Sequence, residues 1–206
     1  MKFQIPCSKD FVAMKEGVPL SISEDDKGFI NVAKIDSSII IDLKYATSDN
    51  FTKQPIYDFT VAVARVGTAK KLGVAAKILR EKGFRIVVWD AYRPSYAQKR
   101  LFEVYPDPMW VAPPNPNHSH EKGVTFDVTL ADLDGNEIEM QSPFDDFSGA
   151  AKRNAVRTPL QEYRYQVLLD AMTKAGFKGY ENEWWDYQDT DADLYGPMQV
   201  NPNDYI

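Results

Sequence analysis

Asn117-His118-Ser119-His120-Glu121-Lys122-Gly123-Val124-Thr125-Phe126-Asp127-Val128-Thr129-Leu130 is the stretch around which the chain is organised, and it holds both of its histidines. From Gly123 the residues alternate strictly. Val124, Phe126, Val128 and Leu130 would share one face of a strand, and Thr125, Asp127 and Thr129 the other. A carboxylate in mid-strand needs a partner, because burying it alone is costly. One partner that suits the spacing is a divalent metal held between histidine and Asp127. The other is an ordinary salt bridge or a hydrogen-bonded loop. His-x6-Asp by itself does not choose between them.

Outward from this strand, Phe84 to Trp89 is nearly all apolar and reads as a central strand covered on both faces. Its end delivers Asp90, Tyr92 and Arg93 to a loop. Pro94 disfavours helix at Arg93 and opens the next helix, Ser95 to Val104. Residues 65–82 read as a helix with Leu72, Ala75, Ala76 and Leu79 as its apolar stripe and Gly83 as its stop. Ser37 to Leu43 is a further strand candidate, leading into Lys44-Tyr45-Ala46-Thr47-Ser48-Asp49-Asn50-Phe51. Residues 105–119 carry five prolines and Trp110, a long loop that borders the histidines as a lid or a spacer.

Beyond the Asp127 strand, Asp134-Gly135 signals a hairpin turn with Ile138 to Met140 returning. Residues 143–157 read as a second exposed loop. Thr158-Pro159-Leu160-Gln161 is a capping box that starts a helix running to about Lys174, before Gly176. Phe177 to Tyr187 reads as the last core strand. Residues 1–28 are expected to form a polar arm and 188–206 an acidic C-terminal wrap on one domain.

The 206 residues are 44% hydrophobic, enough for a core, with a net charge of −6. No long basic run is present, which argues against nucleic acid or an anionic membrane as partner. The single cysteine, Cys7, excludes an internal disulfide. With no apolar leader and no stretch of about 18 apolar residues, a cytoplasmic location is the expectation.

Three motifs in order, Asp90-Ala91-Tyr92-Arg93-Pro94, His120-x-x-Gly123-x-x-x-Asp127 and Glu183-Trp184-Trp185-Asp186-Tyr187, make the chain resemble the D-alanyl-D-alanine dipeptidases. These are zinc peptidases of the hedgehog/DD-peptidase fold and include the dipeptidase of vancomycin resistance. The Tyr45–Phe51 run resembles the family as well, and the resemblance covers about residues 40–187. Two departures stand out: the family's Glu-Trp-Trp-His reads Glu-Trp-Trp-Asp here, and its serine two positions before the histidine is His118.

The resemblance implies an α+β fold, a small, mainly antiparallel sheet flanked by helices. It implies a metal site of His120, Asp127 and Asp186, with Glu183 as general base and Arg93 as the group facing the oxyanion. It also implies that Asp145 holds the substrate amine with help from Tyr45, and that Ser119 meets the substrate carboxylate. The expected cofactor is one zinc ion per chain. With only two histidines, at least one ligand of a three-ligand site must be a carboxylate. Ligation by His120, Asp127 and Asp186 brings the formal site charge to about zero, which weakens Lewis acidity and moves preference toward harder ions such as manganese. An alternative geometry uses His118, which in extended chain would point the same way as His120.

The expected activity is hydrolysis of a small D,D-dipeptide. The alternatives are a peptidoglycan D,D- or L,D-carboxypeptidase and a non-catalytic relative.

Overall fold

The computed structural model describes residues 22–206. The arm expected over residues 1–28 lies outside the described residues as far as residue 21. The rest of it is not wholly irregular: Glu24–Lys27 forms a helical turn, α1, whose Asp26 amide is capped by the Ser23 hydroxyl. In chain order there follow β1 (Phe29–Asn31), β2 (Ile40–Ile41), β3 (Val63–Arg65), α2 (Val66–Glu81), β4 (Arg85–Asp90), α3 (Ser95–Val104), α4 (Ser119–Lys122), β5 (Thr125–Ala131), α5 (Pro159–Lys174), β6 (Phe177–Gly179) and β7 (Asp186–Asp189).

The main sheet has the order β2-β4-β5-β7-β6. All its pairs are antiparallel except β2 with β4. The fold is therefore α+β with a mainly antiparallel sheet, as expected, and β1 and β3 form a separate antiparallel pair. Helix α2 contributes the predicted stripe of Leu72, Ala75, Ala76 and Leu79, all fully buried. The capping box of α5 is complete: Thr158 accepts from the Gln161 amide, and the Gln161 side chain accepts in return from the Thr158 amide. α5 packs against α2 and β5.

Register decides what the sheet carries. Ile86 opposes Leu130, Val88 opposes Val128, and Phe126 opposes Tyr187, so these side chains share one apolar face. On the opposite face Asp127 stands directly across from Asp186. The β4–β5 register shifts between Val88 and Asp90, and this bulge brings Asp90 opposite Asp127 on its other side. Three carboxylates thus lie in a row across three strands. Like charges placed directly opposite one another destabilise a sheet unless cations intervene.

Several sequence expectations need correction. All of β5 is buried, Thr125 and Thr129 included, so the strand has no wet face. It runs between two partner strands, β4 and β7. The strand expected over Ser37–Leu43 is only Ile40–Ile41. No strand forms at Ile138–Met140; the return contact is a single bridge from Ala131 to Glu137. Phe177–Tyr187 is not one strand but parts of β6 and β7 with a turn between them. That turn supplies the bend that lets Glu183 and Asp186 face one side. The loop over 143–157 is not simply exposed: Ala151 is fully buried, and Asp145 packs inward against Tyr45.

The segment before β5 is also not extended. α4 is one helical turn, left through Gly123 at φ +74°. A Cβ at Gly123 would come within 2.5 Å of the Phe29 ring, so both the conformation and the close approach require glycine. The premise that His118 and His120 point the same way therefore fails. At the other end of the chain, Asp189 is fully buried, bonded by the Thr68 hydroxyl and the Lys71 ammonium. The tail returns to β1, where Asn31 donates to the Tyr205 carbonyl.

Candidate active site

α4 presents His120 over the polar face of the sheet. Its Nδ1 lies 2.9 Å from the Ala91 carbonyl oxygen. A carbonyl only accepts, so Nδ1 carries the proton in this contact, and in the neutral ring the Nε2 lone pair is free. Nε2 is 3.4 Å from Asp127 Oδ1 and 3.5 Å from Asp186 Oδ2. Asp127 Oδ1 is buried and has no hydrogen-bond partner among the described residues. A neutral imidazole would leave two lone-pair atoms facing each other in a buried site. Only a proton or a cation resolves that contact. The donor set of one imidazole and two carboxylates, with the backbone carbonyl behind the ring, has the composition and outer support of a metal site. Burial alone would lower the His120 pKa, but the carboxylates of Asp127 and Asp186 overcome it and hold the ring well above its ordinary value.

Asp90 also lies within ligand reach of His120 and Asp127. It is already committed. The Tyr57 hydroxyl donates to Asp90 Oδ1 at 2.6 Å, and Arg93 Nε and Nη2 donate to Oδ2 at 2.9 and 2.7 Å. The Asp90 carboxylate therefore orients Arg93. Arg93 Nη1 donates to Gln98 Oε1 at 2.8 Å. Three of the five guanidinium N–H groups are thus hydrogen-bonded, and Nη2 also lies 3.7 Å from Asp127 Oδ2. The guanidinium also lies over the Tyr45 ring, 5.1 Å from its centroid.

Glu183 reaches the same centre, its carboxylate within 4.8 Å of those of Asp127 and Asp186. Burial, and then the charges of Asp186, Asp127 and Asp145, push its pKa well above the ordinary carboxyl value. Asp145 sits in the left-handed region at φ +57°, a conformation that Asp and Asn tolerate better than most residues. Its carboxylate accepts from the Tyr45 hydroxyl at 2.9 Å and the Phe51 amide at 3.1 Å. Burial nevertheless pushes its pKa up to about 7.

A cleft of about 380 Å³ joins these groups, and the eight residues given a site role from the sequence line it: Tyr45, Arg93, Ser119, His120, Asp127, Asp145, Glu183 and Asp186. His118 lines it too but belongs to neither group of candidate ligands found among the described residues. A larger hollow of about 640 Å³ lies on the far side of Asp145 and contains no histidine. Sequence reasoning missed Tyr57 and Gln98, which hold Asp90 and Arg93, and Phe147, which lines the cleft and stacks on Trp110 with ring centroids 5.5 Å apart. Tyr57 and Phe147 sit in loops without periodicity, and Gln98 reads as an ordinary helix residue. Nothing local marks any of them.

The D-ala-D-ala dipeptidase family profile matches residues 25–202. The chain is 32% identical over 172 residues to a D-alanyl-D-alanine dipeptidase of Escherichia coli, covering 83% of this chain and 89% of that protein. It is 28% identical over 188 residues to one of Enterococcus faecium, covering 78% and 90%. A vancomycin resistance D,D-pentapeptidase, VanY, solved with Zn(II), aligns over 66% of this chain and 78% of that one, with 14% identity and a TM-score of 0.44. With a family-profile match over residues 25–202 and a relative 32% identical across 83% of its length, the chain belongs to the D-ala-D-ala dipeptidase family.

Proposed function

We propose that this protein is a metal-dependent D,D-dipeptidase that hydrolyses D-Ala-D-Ala. The observation that carries the reading is the convergence of His120 Nε2 with Asp127 Oδ1 and Asp186 Oδ2, beside Glu183 and in the cleft that Arg93 and Asp145 share. His120, Asp127 and Asp186 would hold one divalent ion, zinc by family, with manganese favoured more than a second histidine would allow. A zinc ion there supplies Lewis acidity toward a water and the scissile carbonyl.

The chain's own groups do the rest. Glu183, with its raised pKa, takes a proton from the attacking water and delivers it to the leaving amine as the C–N bond breaks. Arg93, held rigid by Asp90 and Gln98, offers its guanidinium to the oxygen on which charge develops. Asp145 receives the substrate's α-ammonium group, with Tyr45 and the Phe51 amide fixing the carboxylate. Ser119 opens α4 on the cleft wall, where it would meet the substrate carboxylate. Charge recognition at both ends suits a free dipeptide better than a long peptide.

The test is D-alanine release from D-Ala-D-Ala by metal-stripped protein, before and after adding zinc or manganese. Release that depends on the metal supports the reading. Silence with both metals in folded protein removes it and points to a non-catalytic relative.

A further inference from the structure

Gln98 lies on the buried face of α3, and its amide is used at both ends. Oε1 accepts from Arg93 Nη1 at 2.8 Å, and Nε2 donates to the Ala112 carbonyl at 2.6 Å. The orientation of the amide is unambiguous, because arginine can only donate and a carbonyl can only accept. Gln98 is 4% exposed, so neither bond is shared freely with solvent.

Ala112 belongs to the proline-rich loop that forms one wall of the cleft through Met109, Trp110 and Val111. That loop is held elsewhere by a different set of contacts. Trp110 stacks on Phe147, and the Asn115 amide donates to the fully buried Glu121. None of these contacts reaches Arg93. Gln98 is the side chain that bonds both the loop and the guanidinium.

We propose that Gln98 is a positioning residue: it makes the placement of Arg93 depend on closure of the 105–117 loop over the cleft. The proposal rests on the dipeptidase reading only for its kinetic consequence. When the loop lifts, the Ala112 bond is lost and the Gln98 amide is free to turn. Arg93 Nη1 then loses its neutral acceptor, and the guanidinium keeps its bonds to Asp90, the Tyr45 ring and the Asp127 carboxylate 3.7 Å from Nη2, none of which fixes Nη1. With the loop down, both bonds form and the guanidinium keeps its place on the cleft wall. An asparagine is one methylene too short to span the two partners. A glutamate keeps an acceptor for Arg93 and has no donor for the loop. The glutamine side chain supplies both functions at this reach.

The experiment compares Gln98→Met and Gln98→Glu with the unaltered, metal-restored full chain. It uses steady-state hydrolysis of D-Ala-D-Ala and acrylamide quenching of tryptophan fluorescence. Trp89, Trp184 and Trp185 are buried to 3% or less, so quenching reports Trp110 and hence the loop. Gln98→Met should lower kcat and kcat/KM together, roughly 10- to 100-fold, the usual scale for losing a hydrogen bond to a charged group. It should also raise quenching. Gln98→Glu should raise quenching to the same degree and raise KM, while kcat stays within about 3-fold because Arg93 keeps its acceptor.

Unchanged quenching in both variants overturns the link to the loop. Equal losses of kcat in both variants overturn the placement of Arg93. If the unaltered protein does not hydrolyse the dipeptide, the dipeptidase reading fails by itself. Quenching then still decides the loop contact, with increased exposure of Trp110 in both variants as the supporting result and no change as the overturning one.

Discussion

The His120 ring is oriented by a hydrogen bond of 2.9 Å from Nδ1 to the carbonyl oxygen of Ala91, and this leaves Nε2 facing Asp127 and Asp186. Ala91 follows the last residue of β4, so the strand that carries Asp90 also sets the tautomer of the histidine. In the ion-free protein His120 is held above its ordinary pKa by the two carboxylates. A divalent ion must therefore displace a proton, and its affinity should fall as pH drops. Zinc titration by calorimetry in buffers of different ionisation enthalpy should reveal proton release. His120→Ala should weaken binding by more than the roughly 10- to 100-fold typical of outer-shell changes. Unaltered affinity in that variant would remove His120 from the ligand set.

Asp186 stands directly opposite Asp127 in the sheet, and the pair makes the site richer in oxygen than one with two imidazoles. Asp186→His should raise zinc affinity relative to manganese. Competition titration with a chromophoric chelator measures both constants without reference to turnover. An unchanged ratio would show that Asp186 does not coordinate.

Glu183→Gln keeps the shape of the side chain and removes the base. Hydrolysis should fall by about 10²- to 10⁴-fold while metal binding persists. Retained turnover would move the proton transfer to another group.

Asp145 couples function to stability. Its folded-state pKa of about 7 lies above the 3.8 of an unperturbed carboxyl, so the folded state binds the extra proton. Stability from this group is fully present below pH 4 and is lost as pH rises toward 7 and above. Asp145→Asn keeps the left-handed backbone tolerable and cannot ionise. Its melting temperature relative to the unaltered protein should be more favourable at pH 8 than at pH 4. Its KM for D-Ala-D-Ala should rise strongly, because the substrate ammonium loses its counter-ion. A melting difference independent of pH would mean that Asp145 titrates normally.

Arg93 and Asp90 form a buried pair with Tyr57 as the third member. Arg93→Lys keeps a charge but cannot hold Asp90 and Gln98 at once through a planar fork. A loss of about 10²- to 10³-fold in kcat with modest destabilisation is expected. A truncation to alanine should instead unfold much of the protein, since it strands Asp90, which is fully buried. Thermal melts beside kinetics separate these two effects.

Local signals were enough for the helices over Val66–Glu81, Ser95–Val104 and Pro159–Lys174. Each depends on periodicity and end residues that act within a turn or two of chain. The motifs were legible too, and all eight site residues taken from them line one cleft. Tertiary structure alone decided the rest. It buried β5 on both faces, because its neighbours come from distant sequence. It split Phe177–Tyr187 into two strands, which turned Glu183 and Asp186 toward one centre. It also set Asp127 across from Asp186, reserved Asp90 for Arg93, and joined Arg93 to the proline-rich loop through Gln98. Strand register and side-chain partnership arise from burial and hydrogen bonding between segments far apart in the chain, and the spacing of residues along one segment does not encode them.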